Sequence, residues 1–114
     1  VFVSDPAILN RLYEAIEQRK NSATAGKSYV KSLMDQGASK IASKITEEAA
    51  EVVEAAQKPD RENLVHEAAD LVFHLWVLMS QQGVQPSDLY AELNRRFGTS
   101  GHDEKASRTS GEPS

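Results

Sequence analysis

Apolar residues recur at intervals of three and four along most of this chain, and nowhere alternate convincingly at intervals of two. That period belongs to helices that lay one face against a core. Asp5 followed by Pro6 is a favourable helix opening, with Asp5 as cap and Pro6 in the first turn. Ile8, Leu9, Leu12, Ala15 and Ile16 then repeat at helical spacing, which predicts a helix over 5–20. The stretch 21–27 reads as a loop by composition. Ser28 can cap a second, short helix carrying Tyr29, Leu33 and Met34, which Gly37 stops. A longer helix over 38–57 places Ile41, Ile45, Ala49, Val52, Val53 and Ala56 on one side, and Pro59 ends it. Asp60 caps the next helix, 60–82, which Gly83 closes. Between Leu71 and Met79 this helix is apolar nearly all round, the mark of burial within a domain or an oligomer. Pro86 and Ser87 open a last helix with Leu89, Tyr90, Leu93 and Phe97.

Beyond Phe97 the pattern stops. From 98 to 114 the only apolar residue is Ala106, too little to order a segment without a ligand or partner. The expectation is an all-α domain over 1–97, of about five helices with four packed as a bundle, and a flexible C-terminal tail over 98–114.

Composition narrows the function. A chain of 114 residues makes one domain with one core, and association would help it cover its surface. No cysteine is present, which removes disulfides and thiolate zinc sites. The net charge of −4 lacks the basic footprint of a nucleic-acid binder. The most apolar run, Leu71 to Met79, is too short for a membrane span and contains His74. The opening residues carry no signal-peptide pattern, so a cytoplasmic location is expected.

Charge is crowded in "KITEEAAEVVEAAQ", Lys44 to Gln57, where Glu47, Glu48, Glu51 and Glu54 stand among alanine and valine. On a helical projection with Glu47 at zero, Glu51 lies at about 40°, Glu48 at about 100°, Lys44 at about 60° and Lys40 at about 20°. Three carboxylates and two lysines therefore share one stripe, with Glu48 at the border of the core and Glu54 left as ordinary surface. Like charges at these spacings repel unless a cation or lysine compensates. The following helix supplies partners: in "HEAADLVFHLW", Glu67, Asp70 and His74 fall within about 60° of one another and interrupt an apolar helix. Antiparallel packing across a short turn sets Glu48 and Glu51 opposite Glu67 and Asp70. An all-oxygen cage of this kind suits Mg²⁺ or Mn²⁺. Zinc lacks soft ligands here, and His74 reads as a packing or supporting residue rather than a ligand. The Glu-x-x-His pairs of di-iron bundles are absent.

The full pattern is Glu-Glu-x-x-Glu, a spacer of 15 residues, then Glu-x-x-Asp. It resembles the signature of the MazG-type all-α nucleotide pyrophosphohydrolases. The flanking stretches "SYVKSLMDQGASKIASKITEEAAEVVEAA", "DRENLVHEAADLVFHLWVLM" and "SGHDEKASR" resemble the phosphoribosyl-ATP pyrophosphohydrolases of histidine biosynthesis, over roughly Leu9 to Arg108. The resemblance implies Mg²⁺-dependent hydrolysis of phosphoribosyl-ATP to phosphoribosyl-AMP and pyrophosphate. It implies Glu48, Glu51, Glu67 and Asp70 as metal ligands, and Glu47 helping a second ion or the attacking water. Lys44 and Lys40 match positions that meet the phosphates, and Lys44 joins Glu47, Glu48 and Glu51 in the catalytic set. Ser43 and Thr46 depart from the family's usual lysine and glycine without touching the carboxylates. The chain resembles the form not fused to a cyclohydrolase, and a homodimer or larger homo-oligomer is implied. Two other readings compete: a house-cleaning nucleoside triphosphate pyrophosphatase, and a non-catalytic helical interaction module.

Overall fold

The structure is a computed structural model that describes residues 5–21 and 28–97. It contains α1 (Ile8–Lys20), α2 (Tyr29–Gln36), α3 (Ala38–Ala55), α4 (Arg61–Gln81) and α5 (Pro86–Phe97), with no strand among the described residues. The all-α expectation holds. The proposed tail, 98–114, lies outside the described residues, as does 22–27 of the first loop.

The helix boundaries follow local chemistry, with two adjustments. Ser28 accepts a hydrogen bond from the Lys31 amide at 3.1 Å and caps α2. Gly37 ends that helix at φ 90, a value that favours glycine, and its own amide bonds back to Leu33 and Met34. Asp60 caps α4 by accepting from the Asn63 amide at 3.0 Å. At α1, Asp5 acts one turn early. Its carboxylate accepts from the Ala7 amide and its carbonyl from Ile8, so 5–7 form a turn and the helix starts at Ile8. At its far end α3 stops at Ala55, and 56–59 form the turn into α4.

The described residues fall into two compact units, one holding α1–α4 and the other α5. In the first unit α3 and α4 form the most extensive helix pair, and α4 also packs on α1. The buried seam of α3 runs Ile41, Ile45, Glu48, Val52, Ala55, alternating steps of four and three. On α4 the steps run Glu67, Asp70, His74, Val77, Gln81. This is the 3.5-residue repeat of two helices packed lengthwise. It differs from the projected stripe: Val53 is 60% exposed and Ala56 is exposed, whereas Glu48 sits in the seam. A straight 100° projection drifts off a 3.5-residue seam by about 20° per heptad, enough to misplace border residues.

A second face of α4 clasps α1. The Trp76 indole donates to the Leu9 carbonyl at 2.7 Å. The Tyr13 hydroxyl donates to the Val84 carbonyl just beyond α4, also at 2.7 Å. Between them, Ser80 is 1% exposed and donates to the Glu17 carboxylate at 2.6 Å. The Lys20 ammonium donates to the Ser80 hydroxyl, the Ser80 carbonyl and Glu17. In the second unit, Asp88 accepts from the Gln85 amide at the start of α5. Arg95 and Arg96 both donate to Glu92, which holds its carboxyl down at about 2.

Candidate metal centre

The α3–α4 seam carries acids where a helix pair ordinarily carries apolar side chains. Glu48 is 7% exposed, and oxygens of Glu48, Glu51 and Glu67 lie within 4.8 Å of one another. A second group, formed by His66, Glu67 and Asp70, meets the same limit and shares Glu67 with the first. Glu48 Oε1 and Glu67 Oε1 are buried and accept no hydrogen bond. Buried polar atoms are nearly always paired, so two orphans in one cluster need an explanation.

Electrostatics points the same way. Burial pushes the Glu48 carboxyl above its ordinary value, and the charges of Glu51 and Asp70 push it further. Glu67 is also raised, by burial first and then by its hydrogen bond and charge interaction with Glu51. The repulsion expected from the sequence is thus present in the folded chain, and Lys44, which senses the Glu48 charge, makes no ion pair within the cluster. The Lys44 ammonium instead pairs with Glu47 at 3.1 Å. That hydrogen bond, followed by the neighbouring Tyr29 and the Glu47 charge, raises the lysine's pKa. Glu47 faces outward with its side chain 54% exposed. Lys40 is exposed and makes no ion pair among the described residues.

The seven residues picked out by sequence therefore separate into two layers. Glu48, Glu67 and Asp70 lie in the seam with Glu51 exposed beside them, while Lys44 and Glu47 form a pair at its edge and Lys40 stands one turn before Lys44 on α3. His74 is 5% exposed and has both ring nitrogens engaged. Its Nδ1 lies 2.8 Å from the Asp70 carbonyl, which can only accept, so Nδ1 carries the proton. Nε2 must then accept from the Tyr29 hydroxyl at 2.7 Å. Its supporting position matches the sequence reading.

Two residues went unselected. Tyr29 reaches from α2, stacks its ring on Phe73 at 6.0 Å and meets His74 edge-on. Its phenol is raised by burial, against the lowering effect of Lys44, and senses the charges of Glu48, Glu47 and Asp70. No local pattern announces such a contact, because Tyr29 and His74 are 45 residues apart. His66 was legible in principle, since it precedes Asp70 by one helical turn on the same helix.

Comparison with known proteins decides the family. The sequence profile of phosphoribosyl-ATP pyrophosphohydrolase matches residues 9–97. A phosphoribosyl-ATP pyrophosphatase of Geobacter metallireducens is 50% identical over 101 residues, 89% of this chain and 92% of the relative. One from Methylococcus capsulatus is 51% identical over 104 residues, covering 91% and 98%. The chain belongs to the phosphoribosyl-ATP pyrophosphohydrolase family.

In this family member the donor set is four carboxylates on two facing helices, with one imidazole at the rim. Hard divalent cations take such oxygens, and a cation would satisfy both orphaned atoms and offset the like charges. The residues present therefore fit Mg²⁺ or Mn²⁺. Among the described residues no helix is long and apolar enough to cross a membrane.

Proposed function

We propose that this chain hydrolyses phosphoribosyl-ATP to phosphoribosyl-AMP and pyrophosphate, a step of histidine biosynthesis, in the cytoplasm. The observation that carries this is the family match over 9–97, which includes every one of the clustered carboxylates. Glu48, Glu51, Glu67 and Asp70 would hold Mg²⁺, with Mn²⁺ as a substitute. The cation would supply positive charge to the phosphate oxygens and activate water.

The chain's own groups then have distinct tasks. Lys44 and Lys40 offer ammonium charge at the edge of the cluster for the phosphates that the carboxylates would otherwise repel. Glu47 is exposed and already hydrogen-bonded to Lys44, so it can accept a proton from the attacking water. In the reaction the water oxygen bonds to phosphorus, the α–β anhydride bond breaks, the proton passes to a carboxylate and pyrophosphate leaves. His74 and Tyr29 hold the Asp70 turn in register beneath these groups.

The catalytic unit is proposed to be a homodimer or larger homo-oligomer. A third stripe of α4, formed by Leu64, Leu71, Leu75 and Leu78, is apolar yet only partly covered within one chain. A second copy would bury it.

The test is pyrophosphate release from phosphoribosyl-ATP with and without Mg²⁺, beside a panel of ordinary nucleoside triphosphates. Turnover of phosphoribosyl-ATP alone, abolished by EDTA and by Glu51→Ala or Asp70→Ala, is expected. Activity that survives these substitutions, or a preference for common triphosphates, would overturn the assignment.

A further inference from the structure

The carboxylate cluster does not end at Asp70. His66 stands at its outer rim, one turn earlier on α4, with its side chain 70% exposed. Its Nε2 lies 3.5 Å from Asp70 Oδ2, and one ligand atom each of His66, Glu67 and Asp70 falls within 4.8 Å of the others. The two histidines of α4 differ in what their nitrogens do. His74 has both committed, to the Asp70 carbonyl and the Tyr29 hydroxyl. His66 makes no hydrogen bond among the described residues, and the separation from Asp70 is too long to count as a good one.

The distance is informative. Two donors that share an ion at bonds of about 2.1 Å stand about 3 Å apart when adjacent and about 4.2 Å when opposite. The His66–Asp70 separation of 3.5 Å falls inside that range, so an ion could enter with little side-chain movement. The orphaned carboxylate oxygens of the inner group adjoin this one. Glu67 is common to this group and the inner one, and its Oε1 is buried without a partner. The adjoining Glu48, a member of the inner group, is 7% exposed and also leaves Oε1 unpaired.

We propose that His66, Glu67 and Asp70 form an outer cation subsite in which the His66 imidazole is a direct ligand. The subsite extends the carboxylate centre described above and rests on the reading of that centre as a metal site. An imidazole nitrogen changes which ion is preferred. Mg²⁺ takes oxygen donors and gives up its waters reluctantly. First-row transition ions accept imidazole readily, with affinities that rise from Mn²⁺ onwards along the series. The inner carboxylates accept Mg²⁺, and the outer subsite favours a divalent transition ion such as Mn²⁺.

The test uses the full chain without substrate. Mn²⁺ is added to the metal-free protein, and pulsed EPR reads nitrogen coupling from a bound imidazole. Calorimetry measures Mn²⁺ and Mg²⁺ binding in parallel. Nitrogen coupling in the unaltered protein, lost in His66→Ala, is expected, together with Mn²⁺ binding weakened on the order of tenfold and Mg²⁺ binding changed less than about twofold. Coupling that is missing from the unaltered protein, or that persists in His66→Ala, would overturn the proposal. So would an equal loss of Mg²⁺ and Mn²⁺ affinity. Pyrophosphate release by the unaltered chain under Mg²⁺ separates the two readings. Turnover without nitrogen coupling sinks the outer subsite alone. Coupling without turnover of phosphoribosyl-ATP upholds the subsite and removes the substrate assignment.

Discussion

Glu48 concentrates the tension between function and stability in one side chain. It occupies a seam position between Ile41 and Ala55, is buried, and leaves one oxygen unpaired. Its carboxyl is raised by burial and by Glu51 and Asp70, so the folded state holds a proton more readily than the unfolded chain does. The sign follows: without cation, stability is greatest below the unfolded value of about 4.3 and falls as pH rises through the raised folded value. Glu48→Gln keeps the shape and removes the charge. At neutral pH the metal-free variant should be more stable by on the order of 1 kcal/mol in urea unfolding, and inactive in pyrophosphate release. A destabilised metal-free variant would show that Glu48 has a charge partner other than a cation. Tyr29→Phe makes the converse point. It keeps the stack on Phe73 but leaves His74 Nε2, in a residue 5% exposed, without a donor. A loss of about 1–3 kcal/mol is expected in the same measurement, and a neutral result would mean that water replaces the phenol.

At the scale of elements, the helices were legible because capping and turn chemistry is local. Ser28, Gly37, Asp60 and Gly83 do in the structure what their residue types imply. The packing faces were less legible. Glu48 projected to the border of the core and Val53 into it, because a single helix's projection does not contain the seam that its neighbour imposes. The clasp between α1 and α4 was invisible for a related reason: Ser80 and Glu17 are 63 residues apart and each is unremarkable in its own helix. The clasp makes a pH prediction. Burial pushes Glu17 up, but hydrogen bonds from Ser80 and Lys20, with the lysine's charge and Tyr13, outweigh it and leave the carboxyl lowered. Its contribution is therefore present above the unfolded value of about 4.3 and disappears as pH falls through the lowered folded value. Ser80→Ala should cost about 1–2 kcal/mol at pH 7, because it strips hydrogen bonds from a buried site, and the difference should narrow below about pH 4. A cost that stays constant with pH would assign the effect to packing alone.

At the scale of the whole molecule, the carboxylate pattern was readable because charge in a seam is rare, whereas oligomeric state leaves only an indirect trace. That trace is the all-round apolarity of α4. In the folded chain one face of this helix meets α3 and another meets α1, which accounts for Val77 and Trp76. The remaining face carries Leu64 at 36% exposure, with Leu71, Leu75 and Leu78 half-buried, and Val65 beside it at 60%. A chain this short buries a limited fraction of its surface, so leaving such a stripe to water would weaken it. Burial against a second copy would couple folding to association, and the thermal midpoint should then rise with protein concentration. Leu75→Lys places a charge in the centre of the stripe, one turn beyond Leu71. Sedimentation should show the unaltered chain as a dimer or larger species and the variant shifted towards monomer, with a lower midpoint that no longer depends on concentration. The carboxylate cluster lies on the α3 side of α4, so on the proposed reading monomeric Leu75→Lys should still bind Mn²⁺. An unaltered chain that sediments as a monomer at every concentration would mean that the apolar stripe is held by some contact within one chain, and association would have to be withdrawn.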